Sequence, residues 1–390
     1  MRRVKEVDTR PRLPGFSTMA GMAELFSPDV YARRLTDAAV LAARAGLAGL
    51  IVGSGPELAY LTGSWVSSHE RLTALVVPAH GTPRLVVPAT DAGDLADSAV
   101  PELNIEVSGW VDGDDAHALA VAALPAGPVA LGSSLTTLHV LRLQELVGAP
   151  TVPAATTLSE LFMRKDPAEI DQLRRAAHAI DAVHARVPSL LREGRTEAEV
   201  AAEVDALILD GHDSVDFVIV GSGANGANPH HSFSDRQLTR GDVVVVDLGG
   251  TLGPGYHSDS TRTYVVGGAG EADPEVVGAY EVLHRAHAAA VAAVRPGVTA
   301  ASIDAAAREA ITDAGYGELF IHRTGHGIGL STHEEPFIMA GNDLVLEEGM
   351  CFSIEPGIYR SGRWGMRLED IVTVTADGVE LLTRQPRELH

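Results

Sequence analysis

Apolar positions change their period several times along the chain, and each change marks a different element. After Ser27-Pro28, an N-cap and first-turn pair, Val30, Leu35, Ala38, Ala39 and Leu41 recur at helical spacing, and Gly46 ends the predicted helix. The short run LAGLIVGS predicts a buried strand, and TALVVP and PRLVVPAT alternate as paired strands around a His80-Gly81-Thr82 turn. GPVALGSS, from Gly127, predicts a further strand, with LHVLRLQELV as the helix behind it. Strands alternating with helices up to about residue 155 predict a compact α/β domain.

The stretch TLSELFMRKDPAEI reads as the crossing between two domains. Asp166, Pro167 and Glu169 suit the N-cap, N1 and N3 positions of a helix running toward Leu191, with a kink at Pro188. Thr196 and Glu199 form a second capping box, on a helix that ends at Gly211. DFVIVGSG, GDVVVVDLGG and TRTYVV predict strands, the last two joined by a Gly/Pro-rich loop. Ala-rich helices follow over 274–294 and 299–314, and the chain closes on the strands CFSIEPG, EDIVTVT and GVELLT. Two helices precede the strands DFVIVGSG, GDVVVVDLGG and TRTYVV and two follow them, which predicts a duplicated αα–β unit. The expected organisation is an arm over residues 1–27, a smaller domain over 28–160 and a larger one over 161–390.

Composition narrows the functional classes. The chain has 390 residues, 45% of them hydrophobic, enough for two folded domains with a substantial core. Its 52 acidic residues against 30 basic ones give a charge of −22, which argues against a nucleic-acid or anionic-membrane surface. The single cysteine, Cys351, excludes an intrachain disulfide, and in MCFSI it reads as a small buried hydrophobe. No apolar run approaches the roughly 18 residues of a membrane span, and no apolar h-region follows MRRVKEVDTRPRLPGF. A cytoplasmic protein is expected.

Candidate chemistry concentrates between Asp247 and Asp370. Asp247 ends a run of four valines, as a carboxylate expected at the C-terminal end of a buried strand. Asp259 lies twelve residues later, and a hairpin through Gly253-Pro254-Gly255 would bring the two together. Two close carboxylates repel unless a cation lies between them. His326 sits in TGHGIGL, where glycines let the backbone pack closely. Glu355 ends the apolar run FSI, and Glu369 precedes a strand that enters the core. Obvious basic partners are few, Arg262 and Arg367. Four carboxylates and an imidazole suit two hard or borderline divalent cations. Other patterns weigh less. Gly221 to Gly226 fits the dinucleotide fingerprint, but Asn228-Pro229-His230-His231 follows where a helix should start. His333-Glu334 begins a zincin motif, but Phe337 stands where its second His is required. The remaining histidines on predicted helices read as surface or core residues.

Together these motifs resemble the pita-bread metallopeptidases, among them prolidase, aminopeptidase P, methionine aminopeptidase and creatinase. The matching pieces are NPHH at 228–231, DLGG…HSDSTRT at 247–263, TGHGIGLSTHEEP at 324–336, SIEPGIY at 353–359 and MRLED at 366–370. YLTG at 60–63 resembles the amino-terminal domain of the prolidase and creatinase branch. The resemblance implies a smaller creatinase-like α/β domain followed by a pita-bread catalytic domain of duplicated ααβ units. It implies two divalent metal ions, manganese first, with cobalt or zinc as alternatives. Asp247 would bind one ion, Asp259 and Glu369 would bridge both, and His326 and Glu355 would bind the other. His230 and His333 would contact the substrate carbonyl and leaving group, with Thr261 and Arg367 supporting the ligands from behind. The family more often spaces the two aspartates one residue closer; the extra residue falls at Gly253-Pro254, in the loop tip.

The implied activity is hydrolysis of the bond before proline in small peptides, as an Xaa-Pro dipeptidase or aminopeptidase, by a hydroxide shared between the metals. Glu355 would serve as proton acceptor, and a homodimer is expected. Two alternatives stand beside it: a hydrolase of a non-peptide amide or amidine of the ectoine or creatine type, and a non-catalytic interaction module. The intact set of ligand residues argues against the second.

Overall fold

The computed structural model describes residues 25–390; residues 1–24, most of the expected arm, lie outside the described residues. Helix α1 (Pro28–Arg44) begins as the sequence predicts. Ser27 holds the extended N-cap conformation without a side-chain cap bond, and Tyr31, Leu35, Ala38 and Ala42 bury one face. Strand β1 (Gly49–Gly53), helix α2 (Pro56–Thr62), and strands β2 (Ala74–Pro78) and β3 (Arg84–Pro88) follow. Then come β4 (Glu106–Trp110), α3 (Ala116–Val121), β5 (Val129–Leu131), α4 (Thr137–Val147), β6 (Thr151–Pro153) and α5 (Ala154–Met163). The strands form one sheet in the order β4-β3-β2-β1-β5-β6. β2 pairs antiparallel with β1 and β3, so the two valine-rich runs are the predicted hairpin.

The second half opens with α6 (Pro167–His184), whose capping box is complete: Asp166 accepts from the Glu169 N–H and Glu169 accepts from the Asp166 N–H. The helix stops at His184 instead of continuing toward Leu191. A separate helix, α7 (Val187–Leu190), restarts with Pro188 in its first turn. There a missing N–H costs nothing, so the proline starts a helix where a kink was expected. His184 is buried, with its ring nitrogens 3.0 Å from Tyr264 Oη and 2.9 Å from the Ser260 carbonyl.

Helix α8 (Glu197–Leu209) carries the second capping box. Thr196→Ala should cost about 1 kcal/mol, read as a lowered urea midpoint with an unchanged slope.

Strands β7 (Ser214–Ser222), β8 (Val243–Leu252), β9 (Tyr256–His257) and β10 (Ser260–Val265) form a sheet with β8 between β7 and β10. β7 ends in a single 3-10 turn, Gly223–Ala227, so no α-helix N-terminus follows the glycine pattern there. Helices α9 (Pro274–Ala293) and α10 (Ala300–Asp313) follow, then β11 (Gly325–Gly327), β12 (Glu334–Ile338) and β13 (Cys351–Ile354). The hairpin β14 (Gly357–Arg360) and β15 (Trp364–Arg367) precedes β16 (Asp370–Val374) and β17 (Val379–Leu381). A five-stranded sheet runs β12-β11-β13-β16-β17.

The predicted duplication is visible as two apolar layers. In one, Ile180, Val183, Val200 and Val204 of α6 and α8 pack on Val244, Val246 and Leu248 of β8. In the other, Val276, Leu283, Ile303 and Ala307 of α9 and α10 pack on Phe352, Ile354 and Val372. A third cluster joins the two halves of the chain: Leu35, Leu58 and Leu61 meet Leu173, Tyr256, Ile328, Cys351 and Ile371. Cys351 is fully buried in it, as the sequence implied. Among the described residues no helix is long and apolar enough to cross a membrane.

Candidate metal centre

The two sheets of the second half meet at a seam, and the candidate site lies there. Asp247 stands in the middle of β8, opposite Ile219 of β7 and Thr261 of β10. The expectation of a strand end at Asp247 is therefore wrong, because the strand continues through Gly249 and Gly250 to Leu252. Glycine there allows close packing instead of a turn. A Cβ on Gly249 would lie 2.3 Å from the Phe217 ring. Asp259 sits one residue before β10, returned to Asp247 by the predicted hairpin. The tip of that hairpin is held by the first half of the chain, where Trp65 Nε1 donates to the Pro254 carbonyl at 3.0 Å.

His326 is the central residue of β11, between Gly325 and Gly327. Any Cβ on Gly325 would stand 1.8 Å from the Ser353 carbonyl oxygen, and one on Gly327 2.2 Å from that of Glu335. Only glycine lets the neighbouring strands close on this short one, which is the role the sequence assigned to the glycines. Glu355 follows β13 directly and is anchored through its N–H to the Thr324 carbonyl at 2.7 Å. Glu369 precedes β16, and its N–H donates across the seam to the Thr261 carbonyl at 3.1 Å.

These residues converge. Donor atoms of Asp247, Asp259 and Glu369 lie within 4.8 Å of one another, as do those of His326, Glu355 and Glu369, and those of Asp259, His326 and His333. Asp247, Asp259, His326 and Glu369 are buried. Burial, then the neighbouring carboxylates, push Asp259 and Glu369 well above the usual carboxylate range. Burial raises Glu355 to about 7, against the opposing pull of Arg367.

Burial and the adjacent His333 lower His326 to about 3, so its imidazole is neutral. Its Nδ1 lies 3.1 Å from the Gly327 carbonyl, which fixes the proton there and leaves Nε2 as a lone pair. That lone pair faces Glu355 Oε1 at 3.3 Å and Asp259 Oδ2 at 3.7 Å. Asp247 Oδ1 is buried without a hydrogen-bond partner. Lone pairs facing lone pairs, an orphaned carboxylate oxygen and crowded acids are the condition that divalent cations relieve. The donor set fits such ions.

One arginine already serves the cluster. Arg367 Nη2 donates to Asp247 Oδ2, Nε to Thr261 Oγ1 at 3.0 Å, and Nη1 to Tyr359 Oη at 2.9 Å and the Pro229 carbonyl at 3.2 Å. Thr261 Oγ1 in turn donates to Glu369 Oε2 at 2.7 Å. Arg262, the other basic partner considered from the sequence, points elsewhere: it pairs with Asp370 at 2.7 Å, outside the cluster. A cleft of about 810 Å³ opens over the five residues, and His230 and His333 stand exposed in its wall. The His333 ring lies 3.9 Å, centroid to centroid, from that of His326.

Residues 171–376 match the model of metallopeptidase family M24, and residues 34–163 match that of the creatinase/prolidase N-terminal domain. The chain belongs to metallopeptidase family M24. A probable dipeptidase, PepE, of Mycobacterium tuberculosis is 55% identical over 93% of this chain and 97% of that protein. An Xaa-Pro dipeptidase of Lactobacillus helveticus is 38% identical over 85% of this chain and 91% of its own length. The crystal structure of a prolidase from Thermococcus sibiricus superposes with a TM-score of 0.85 at 36% identity, covering 92% of this chain and 98% of that one. The M24 cleft also contains side chains that the motif search passed over. Phe217, Ile219 and Ile321 supply apolar wall, and His322 and Arg323 stand immediately before the TGHG run. The signal for the last two was present, since HRTGHG is one uninterrupted segment.

Proposed function

We propose that this metallopeptidase hydrolyses Xaa-Pro dipeptides, using two divalent cations held by Asp247, Asp259, His326, Glu355 and Glu369, with manganese the first choice. The observation that carries the proposal is the inward cluster of carboxylates facing the lone pair of a neutral His326 beneath an open cleft. The relatives named as dipeptidase and Xaa-Pro dipeptidase support the substrate class.

Divalent ions held there would supply Lewis acidity toward the scissile carbonyl and a lowered pKa for water. The chain's own groups divide the rest. Glu355, bonded to Ser353 Oγ at 3.3 Å, is placed to take a proton from the attacking water on Oε1 and return it to the leaving nitrogen. His230 and His333 can donate ring N–H groups toward the carbonyl oxygen as charge develops on it. Arg367 and Thr261 hold Asp247 and Glu369 in orientation. The proline nitrogen of the substrate carries no N–H, so its ring is recognised by shape, for which Phe217, Ile219 and Ile321 provide apolar surface.

The test is hydrolysis of Ala-Pro and Ala-Pro-Ala by chelator-stripped protein with Mn²⁺, Co²⁺ or Zn²⁺ added back. Restored cleavage of Ala-Pro, with two metal equivalents bound, is expected. Metal uptake without cleavage of either peptide would overturn the proposal.

A further inference from the structure

His230 faces the cleft from a segment with no regular structure of its own. β7 ends in the turn Gly223–Ala227, and residues 228–236 form neither helix nor strand. The His230 imidazole is exposed, and among the described residues nothing hydrogen-bonds the ring; its backbone N–H donates to Asn228 Oδ1 at 3.2 Å. A ring that must meet a developing oxyanion is effective only if the loop beneath it is fixed.

The fixing group is a carboxylate from another element. Glu197 is the first residue of α8, fully buried and outside the candidate metal cluster. The helix does not need it as a cap, because Thr196 and Glu199 already form the capping box. Every side-chain bond it accepts comes from the end of β7 or from the His230 loop. Ser222 donates to Oε1 through its N–H at 2.7 Å and its Oγ at 2.6 Å. Asn225 Nδ2 lies 3.1 Å from both oxygens, and His231 Nε2 and Ser234 Oγ reach Oε2 at 2.8 and 2.7 Å. Burial opposes ionisation of Glu197, but the bonds from Ser222, His231 and Ser234 hold its carboxyl below the usual range. An ionised carboxylate only accepts, so His231 presents Nε2–H to it and is held in one tautomer and one direction. His231 is anchored inward, and its neighbour His230 is left facing the cleft. On the other flank, Arg367 Nη1 donates to the Pro229 carbonyl at 3.2 Å, so the chain is pinned on both sides of His230. We propose that Glu197 is the positioning residue for His230, gathering the loop from Asn225 to Ser234 so that the His230 ring N–H meets the substrate carbonyl oxygen. This role rests on the Xaa-Pro dipeptidase function proposed above.

The experiment uses the full chain carrying Glu197→Gln, alone and together with His230→Ala. Glutamine keeps the shape but turns an NH₂ group toward donors on one side of the site. In the metal-free protein, amide hydrogen exchange over residues 225–234 is expected to quicken about tenfold or more, with α8 and β8 unchanged. In the Mn²⁺-loaded protein, kcat on Ala-Pro should fall about 100-fold, the cost of a misplacement near 1 Å. KM and metal stoichiometry should stay unchanged, because the lost contact is made in the transition state. In the His230→Ala background the same substitution should add less than about threefold, since the group it positions is gone. An equal loss in both backgrounds, an unimpaired kcat in Glu197→Gln or in His230→Ala, or unchanged exchange over the loop would overturn the role of Glu197 while leaving the dipeptidase function standing. Absence of Ala-Pro cleavage by the metal-loaded wild type would remove both. If Glu197→Gln does not fold, His231→Leu removes one donor and leaves the carboxylate its bonds from Ser222, Asn225 and Ser234. A kcat loss of about tenfold that requires His230 would then support the role, and no such loss would overturn it.

Discussion

Asp259→Asn and Glu369→Gln should each lower kcat by well over the ~100-fold that loss of a residue behind a metal ligand can cost, and should raise the melting temperature of the metal-free protein. The two effects have one cause. Without metal, the folded chain confines Asp259, Glu369, Asp247 and Glu355 together, and each raises the energy of its neighbours' ionised forms. Removing one charge relieves that repulsion, so the apo variant is stabilised by the change that abolishes turnover. Metal addition should then raise the melting temperature of the wild type more than that of either variant.

The pH dependence has the matching sign. A carboxyl whose folded pKa is raised stabilises the fold below its unfolded value, ~4.5 or lower, and that stabilisation is lost as pH rises through the folded value, about 7 for Glu355. Metal-free wild type should therefore melt higher at pH 5 than at pH 8 relative to Asp259→Asn, whose slope is shallower. Full activity in either variant, or a lower apo melting temperature for Asp259→Asn, would show that the cluster is not a metal centre.

Local chemistry was the part of the fold most legible in the sequence. The capping boxes at Asp166 and Thr196 and the proline at position 28 mark helix starts that occur where expected, because caps act within four residues. Errors arose where a distant contact overrides a local signal. Asp247 was read as the end of a strand, yet the strand runs on to Leu252, and Gly249 is glycine because Phe217 crosses it from the neighbouring strand. Pro188 was read as a kink inside a helix, yet α6 has already stopped at His184, whose ring is held by Tyr264 and Ser260. The five candidate ligands could be named from their motifs, but their convergence depends on a seam between two sheets. Glu369 reaches Asp259 because its own N–H pairs with Thr261, 108 positions earlier in the chain. No pattern in either segment announces that pairing.

Arg367→Met should have the opposite stability signature to the acid variants. Methionine keeps much of the side-chain volume but removes the cation that touches Asp247 and, through Thr261, steadies Glu369. In the metal-free protein the carboxylates then lose their buried counter-charge, and the fold should be weakened by about 3–5 kcal/mol, the usual cost of breaking a buried pair by deleting one partner. Tyr359 Oη and the Pro229 carbonyl lose a donor as well. Saturating divalent metal supplies the missing positive charge and should restore most of the lost stability, while metal affinity falls about 10- to 100-fold because Asp247 and Glu369 are no longer held in orientation. The measurement is a pair of melting curves, with chelator and with saturating Mn²⁺, beside a metal titration. A double variant with Asp247→Asn should recover part of the metal-free stability, since the charge that Arg367 neutralised is gone. If Arg367→Met is equally destabilised with and without metal, its role is packing between β8 and β15, and the electrostatic link between arginine and metal fails.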